Sequence, residues 1–252
     1  MKKLNTFLSV LSLILTSFVL IFVVNAWYVS NDQVSANGIV GKTEGTKGTF
    51  YLYYWDDSID EWKLSQNSVN TELWPNDVVY FKLVSTGVKE GVNYQARFNG
   101  ISTSLNTEKV TAKKIETTGD TTTTTYQVLY DSTVMYESAT KEIKVKDIDD
   151  DGKTVEKTLY SLSDNLSIAL KDYKIENVIK LYTNPTIESD TPKDKGTTKA
   201  DNLTDYIFNE KVASANPIKY FALTFDSTSD NQVDSYYQYQ ALVIKQLLIT
   251  AV

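Results

Sequence analysis

The chain has no histidine, no cysteine, a single arginine and only 4 prolines among its 252 residues. Without histidine, Ser-His-Asp and Cys-His nucleophilic catalysis are excluded, as is every zinc site that needs an imidazole. Carboxylate chemistry is what remains for an enzyme, for example a pair of acids hydrolysing a glycosidic bond. The 32 Asp and Glu residues are scattered through polar segments and single out no pair, so a non-enzymatic protein is expected. Without cysteine, no disulfide staples the chain, and an apolar core must hold it together. Cysteine-free surface domains are the habit of Gram-positive bacteria, which sets the expected source. Arg97 stands alone and the lysines are interleaved with acids. That arrangement gives no basic patch for a phosphate backbone, and nucleic acid is not an expected partner. The formal net charge of −7 favours solubility instead.

What is present begins with the compartment. Lys2 and Lys3 precede an uncharged run from Leu4 to Asn31, whose centre, Phe7 to Val24, is almost wholly Leu, Ile, Val, Phe and small residues. This is a basic n-region followed by an apolar h-region. It is also long enough to cross a bilayer as an N-terminal hydrophobic helix, which takes about 20 apolar residues. Val24-Asn25-Ala26 fits a signal peptidase that cleaves between Ala26 and Trp27. The competing reading keeps residues 1–26 as a membrane anchor, with Trp27 and Tyr28 at the outer interface. Either way the chain is expected to be exported through the general secretory pathway to the cell surface or beyond. Residues 27–252 then form one domain, long enough to bury a core.

Period-two alternation of β-branched and aromatic residues recurs through that domain. It predicts strands at Thr49–Trp55, Val78–Val84, Asn93–Phe98, Thr124–Tyr130, Glu142–Lys146, Val155–Tyr160, Leu166–Leu170, Val178–Tyr182, Lys219–Phe225 and Tyr239–Thr250. So many short strands imply an all-β sandwich or barrel. Helical signal is sparse, enough for one or two short helices; the best candidate is Asp201–Val212, where Asp201 or Asn202 can cap and Leu203, Tyr206, Ile207 and Val212 make a partial stripe. The threonine run Thr121–Thr125 reads as a hairpin tip entering a strand, and Glu188–Lys199 as a long surface loop.

Three features could carry function. Asp147-Ile148-Asp149-Asp150-Asp151-Gly152 matches the opening of a calcium loop, with Asp147, Asp149 and Asp151 as ligands. The twelfth position is Thr158 rather than a bidentate Glu, and the flanks are strand-like, so the alternative is a hairpin with an Asp-Gly turn. Tyr51, Tyr53, Tyr54, Trp55 and Trp62, with Tyr236, Tyr237 and Tyr239, could form a carbohydrate platform, or could be core and cross-strand packing. The stretch Trp27–Val40 is extended in character. It is either the first strand of the domain or a strand that pairs with a neighbour's exposed sheet edge, with Trp27, Tyr28, Val29, Val34 and Ile39 as the candidate assembly residues.

Three segments resemble the TasA and camelysin-like family of Gram-positive exported proteins, which are processed by a SipW-type signal peptidase. They are Asn25-Ala26-Trp27-Tyr28-Val29-Ser30-Asn31 with Val34, Ala36, Asn37 and Gly38; Leu73 to Leu83, with Asn76 where glycine is usual in a Pro-Gly-Asp turn; and Tyr239 to Ile249. Most of residues 100–215 carries no such likeness. The resemblance implies a jelly-roll-like antiparallel β-sandwich and fibres of the biofilm matrix, in which the N-terminal strand of one subunit completes the sheet of the next. The partners would be copies of the chain or related matrix proteins. The camelysin branch carries a metallopeptidase label, which the absence of histidine here opposes. The runner-up is a membrane-anchored β-sandwich module that recognises a glycan or a protein partner.

Overall fold

The computed structural model describes residues 48–65, 73–105, 108–149, 151–214, 216–226, 235–237 and 239–251. All of its sheets are antiparallel. In chain order the strands are β1 (Thr49–Asp56), β2 (Glu61–Leu64), β3 (Val78–Thr86), β4 (Asn93–Leu105), β5 (Val110–Thr117), β6 (Thr123–Tyr130), β7 (Thr133–Ser138), β8 (Glu142–Ile148), β9 (Thr154–Leu162), β10 (Ile168–Leu170), β11 (Ile179–Tyr182), β12 (Thr186–Glu188), β13 (Thr191–Asp194), β14 (Tyr206–Lys211), β15 (Ile218–Phe225) and β16 (Gln240–Ala251). Two 3-10 turns, Ile175–Asn177 and Ser235–Tyr237, are the only helical elements among the described residues.

Two sheets pack face to face. One has the order β11-β15-β3-β1-β2 and the other β14-β4-β16. Alternation puts Phe50 and Leu52 of β1, Phe81 and Leu83 of β3 and Phe221, Leu223 and Phe225 of β15 on the inner face of the first sheet. Phe221 stacks on Phe81 at 5.0 Å and meets Phe98 of the facing sheet edge-on at 5.7 Å. Two further three-stranded sheets, β5-β6-β7 and β10-β9-β8, are joined to the same hydrophobic cluster through Val110, Val128, Ile143, Leu159 and Tyr160. The result is a sandwich-like all-β fold.

The β4–β16 ribbon serves both halves, and its burial shows how. Along β4 the buried positions are Tyr94, Ala96 and Phe98, after which the inward parity passes to Ile101, Thr103 and Leu105. β16 makes the matching change, from Leu247 and Ile249 to Ile244 and Leu242, with Lys245 and Gln246 both exposed between them. The pivot is Gly100, opposite Lys245 and flanked by the pairs Asn99↔Gln246 and Ile101↔Ile244. Its φ is +71°, and a β-carbon there would lie 2.9 Å from Lys245. Only glycine meets both conditions without cost.

The junction between the halves is closed by one buried amide. Gln240, 1% exposed, accepts from Ile175 N–H at 2.8 Å and donates to the carbonyls of Tyr173 (2.8 Å) and Tyr236 (2.9 Å). Around it Tyr173 meets Tyr236 and Tyr237 edge-on, Tyr136 meets Tyr160 and Tyr236, and Tyr239 stacks on Tyr130 at 3.5 Å.

The structure corrects several sequence-based expectations. Asp201–Val212 is not a helix. Asn202 N–H donates to the Asp205 carboxylate at 2.8 Å in a turn, and Tyr206–Lys211 then pairs with β4. The apolar spacing looked helical because Leu203 and Val212 lie outside the strand, while within it Ile207 is buried and Phe208, next to a bulge, also packs against the core. Glu188–Lys199 is not a long loop, because Thr191–Asp194 forms a hairpin with Thr186–Glu188. Leu166 belongs to a turn with φ of +56° rather than to a strand. Edge pairings also revealed strands that the pattern did not announce: Glu61–Leu64, Val110–Thr117 and Thr133–Ser138.

Two substitutions test this frame by urea unfolding. Gly100→Ala is expected to lose about 2 kcal/mol from combined φ strain and contact with Lys245. Gln240→Leu is expected to lose about 3 kcal/mol or more, since it strands three buried backbone groups.

Candidate functional site

Strand edges in an antiparallel sheet offer unpaired backbone donors and acceptors to a partner. β4 is paired on one flank with β16 over its whole length, but on the other flank β14 reaches only Asn93–Arg97. From Phe98 to Leu105 that second flank has no strand beside it among the described residues. Among the described residues β10 pairs with β9 alone and forms the edge of its sheet. These two flanks border one cleft of about 500 Å³, lined by Ile101, Ser102, Thr103 and Leu105 from β4, Ile168 and Leu170 from β10, and Lys174 and Glu176. The cleft exists because the Gly100 pivot turns Ile101, Thr103 and Leu105 toward β10. Its end is fixed where Glu176 N–H donates to the Thr103 hydroxyl at 3.4 Å. The walls combine half-buried aliphatic side chains with strand backbone, the combination that accepts an extended segment by main-chain pairing. The outer flank of β16 is a second edge without a strand partner among the described residues.

The other predicted features fall elsewhere. Asp147 and Asp149 are committed to separate local partners. Asp149 accepts from Asp151 N–H (3.1 Å) and Lys153 N–H (2.8 Å), while Gly152 N–H returns to the Asp149 carbonyl at 2.9 Å. This is a hairpin turn joining β8 to β9, with Gly152 at φ +77°. Asp147 points away, accepting from Tyr173 Oη at 2.7 Å and pairing with Lys157 at 2.7 Å. Burial alone would raise the Asp147 pKa, but Lys157, Tyr173 and the Ile148 N–H together hold it below the ordinary carboxylate value. Asp151 carries an exposed side chain that faces Lys153 at 4.0 Å. No three carboxylates converge among the described residues.

The aromatics divide into two sets. Tyr236 and Tyr237 are core residues. Tyr51, Tyr53, Trp55 and Trp62 lie on the outer face of the five-stranded sheet, where Trp55 and Trp62 form a cross-strand pair at 5.3 Å. Tyr54 turns inward instead, on the same side of β1 as Phe50 and Leu52. The cleavage residues Ala26 and Trp27 and the assembly residues Trp27, Tyr28, Val29, Val34 and Ile39 lie outside the described residues. No helix among the described residues is long and apolar enough to cross a membrane.

Sequence reasoning missed the cleft itself, since nothing local announces where a partner strand stops short. The available signal was the break in alternation at Lys245-Gln246 together with Gly100 inside a strand pattern. No family model, curated protein or solved structure matches this chain.

Asp147 and the Asp-Gly turn yield a measurable prediction each. A depressed carboxylate adds stability above its ordinary pKa of 3.8, and that stability is lost as pH falls from there through the lowered folded value. Asp147→Asn should therefore flatten the loss of stability below that pH, read by thermal melts at successive pH values. Asp149→Ala should cost about 1 kcal/mol through the two lost turn bonds, and millimolar calcium should leave the wild-type melting temperature unchanged. A calcium-dependent rise would instead support Asp147, Asp149 and Asp151 as ligands.

Proposed function

We propose that this chain is an exported structural protein of the cell surface or extracellular biofilm matrix, assembled by pairing of Trp27–Val40 with a sheet edge of a neighbouring copy or a related matrix protein. The observation that carries this reading is the cleft lined by β4 and β10, two strands that each have a flank with no strand beside it among the described residues. A segment placed there would join the β16-β4 ribbon to the β10-β9-β8 sheet and satisfy backbone groups on both sides. The fourteen residues Trp27–Val40 exceed the eight of the Phe98–Leu105 flank. Their alternating Trp27 and Val29 suit a site whose walls are Ile101, Leu105, Ile168 and Leu170. The role is non-enzymatic, consistent with the absence of histidine, and the finer architecture we assign is a jelly-roll-like sandwich completed by the added strand.

A second reading is the membrane-anchored binding module that retains residues 1–26 and displays the sandwich outward. It draws support from the outer face of the five-stranded sheet, where Tyr51, Leu64 and Ile218 are exposed.

The readings separate on the N-terminus of the protein recovered from its native surface. A start near Trp27 with fibres by electron microscopy is expected, and a start at Met1 without fibres would favour the anchored module. In vitro, a bulky domain fused ahead of Trp27 should abolish fibres while leaving the melting temperature unchanged. Ile168→Lys, which puts a charge into the cleft, should also reduce assembly without unfolding the subunit. Unaltered fibres from both variants would overturn the mechanism.

A further inference from the structure

The outer face of the five-stranded sheet carries a polar cluster that the assembly mechanism does not use. The tip of the β12–β13 hairpin crosses this face, and one residue, Asp190, fastens it to three strands. Its carboxylate accepts from Tyr220 Oη of β15 at 2.7 Å and is paired with Lys82 of β3, while its main-chain carbonyl accepts from Trp62 Nε1 of β2 at 2.6 Å. Lys82 lies over the Trp62 ring at 5.5 Å and Tyr220 packs against the same ring at 5.8 Å. The Lys82 side chain is only 14% exposed, against 49% for Asp190.

Ser189 and Asp190 both have positive φ, +50° and +66°, as a two-residue hairpin turn requires, so the turn's shape is set within the hairpin and not by its contact with the sheet. Neither β12 nor β13 pairs with any other strand among the described residues, so the contacts that hold the tip to the sheet are made by the side chains of Trp62, Lys82 and Tyr220. Beyond the hairpin the same face continues in register as an apolar platform: Tyr51 and Ile218 flank Val84, and Leu64 lies beside Tyr53.

We propose that Trp62, Lys82 and Tyr220 form a carboxylate-recognition site that the chain fills with its own Asp190, and that an acidic glycan bearing uronic-acid residues displaces the hairpin to bind there. The site supplies a cation and a phenol for the carboxylate, an indole face for the sugar ring, and the neighbouring platform for further rings. A peptide fits less well. The backbone groups of β1, β3 and β15 are already paired with one another at this point, so apart from the outer flank of the short edge strand β2 the face offers side chains rather than main-chain pairing.

The test uses the mature chain and an oligogalacturonate, with a neutral galactose oligomer and a poly-glutamate peptide as comparisons, measured by calorimetry and by hydrogen exchange over residues 186–194. Asp190→Gly deletes the carboxylate while suiting the positive φ, so the turn survives. It should tighten oligogalacturonate binding by about tenfold, because the internal competitor is gone. Lys82→Met in that background should abolish binding with the melting temperature retained. Binding to the wild type should speed exchange of the hairpin amides. Equal affinity of wild type and Asp190→Gly, equal binding of the neutral oligomer, or binding of the peptide alone would each overturn the proposal.

Discussion

The structure turns on a change of facing in one ribbon. β4 and β16 run together along their whole paired length, yet a strand with fixed parity can present its apolar side chains to one layer only. Gly100, at positive φ opposite Lys245, lets both strands change parity in step. Tyr94, Ala96, Phe98, Leu247 and Ile249 can then pack into the sandwich, while Ile101, Leu105, Leu242 and Ile244 face the second half of the molecule. The same pivot turns Ile101, Thr103 and Leu105 toward the cleft that β10 borders.

What the pivot arranges, Gln240 holds. A buried amide is costly unless its donors and acceptor are met, and here three are met by backbone that belongs to no strand ladder. The segment around Tyr173 and Ile175, the turn holding Tyr236 and the start of β16 are thereby fixed to one another. The tyrosine ring contacts fill the space around them. With no disulfide available, this polar clamp and its aromatic surround do the work of a cross-link between the two halves.

The two surfaces to which we assign roles differ in the chemistry that each exposes. The cleft offers strand flanks and aliphatic walls, suited to an extended chain. The outer sheet face offers aromatic rings, Lys82 and Tyr220 above backbone that is already paired, suited to a ligand that carries its own flat face and charge. Both follow from which backbone groups remain open once the antiparallel ladders have formed.

Most strands were legible in the sequence because alternation survives wherever one face is buried; Thr49–Asp56, Val78–Thr86 and Ile218–Phe225 stand where their patterns placed them. The Asp-Gly turn after β8 was legible for the same local reason. Tyr206–Lys211 was misread as helix because a bulge in this short strand breaks the alternation at Ile207 and Phe208, and with Leu203 and Val212 outside the strand the spacing imitates a helical stripe. The sequence by itself determined the all-β character, the absence of histidine chemistry and the need for a core without disulfides, since composition and period fix these locally. Only the tertiary structure decided where β14 stops along β4, which strand flanks face the cleft, and that Asp190 reaches Lys82 across a separation of 108 residues. Those outcomes depend on how distant strands register against one another, which no local pattern specifies.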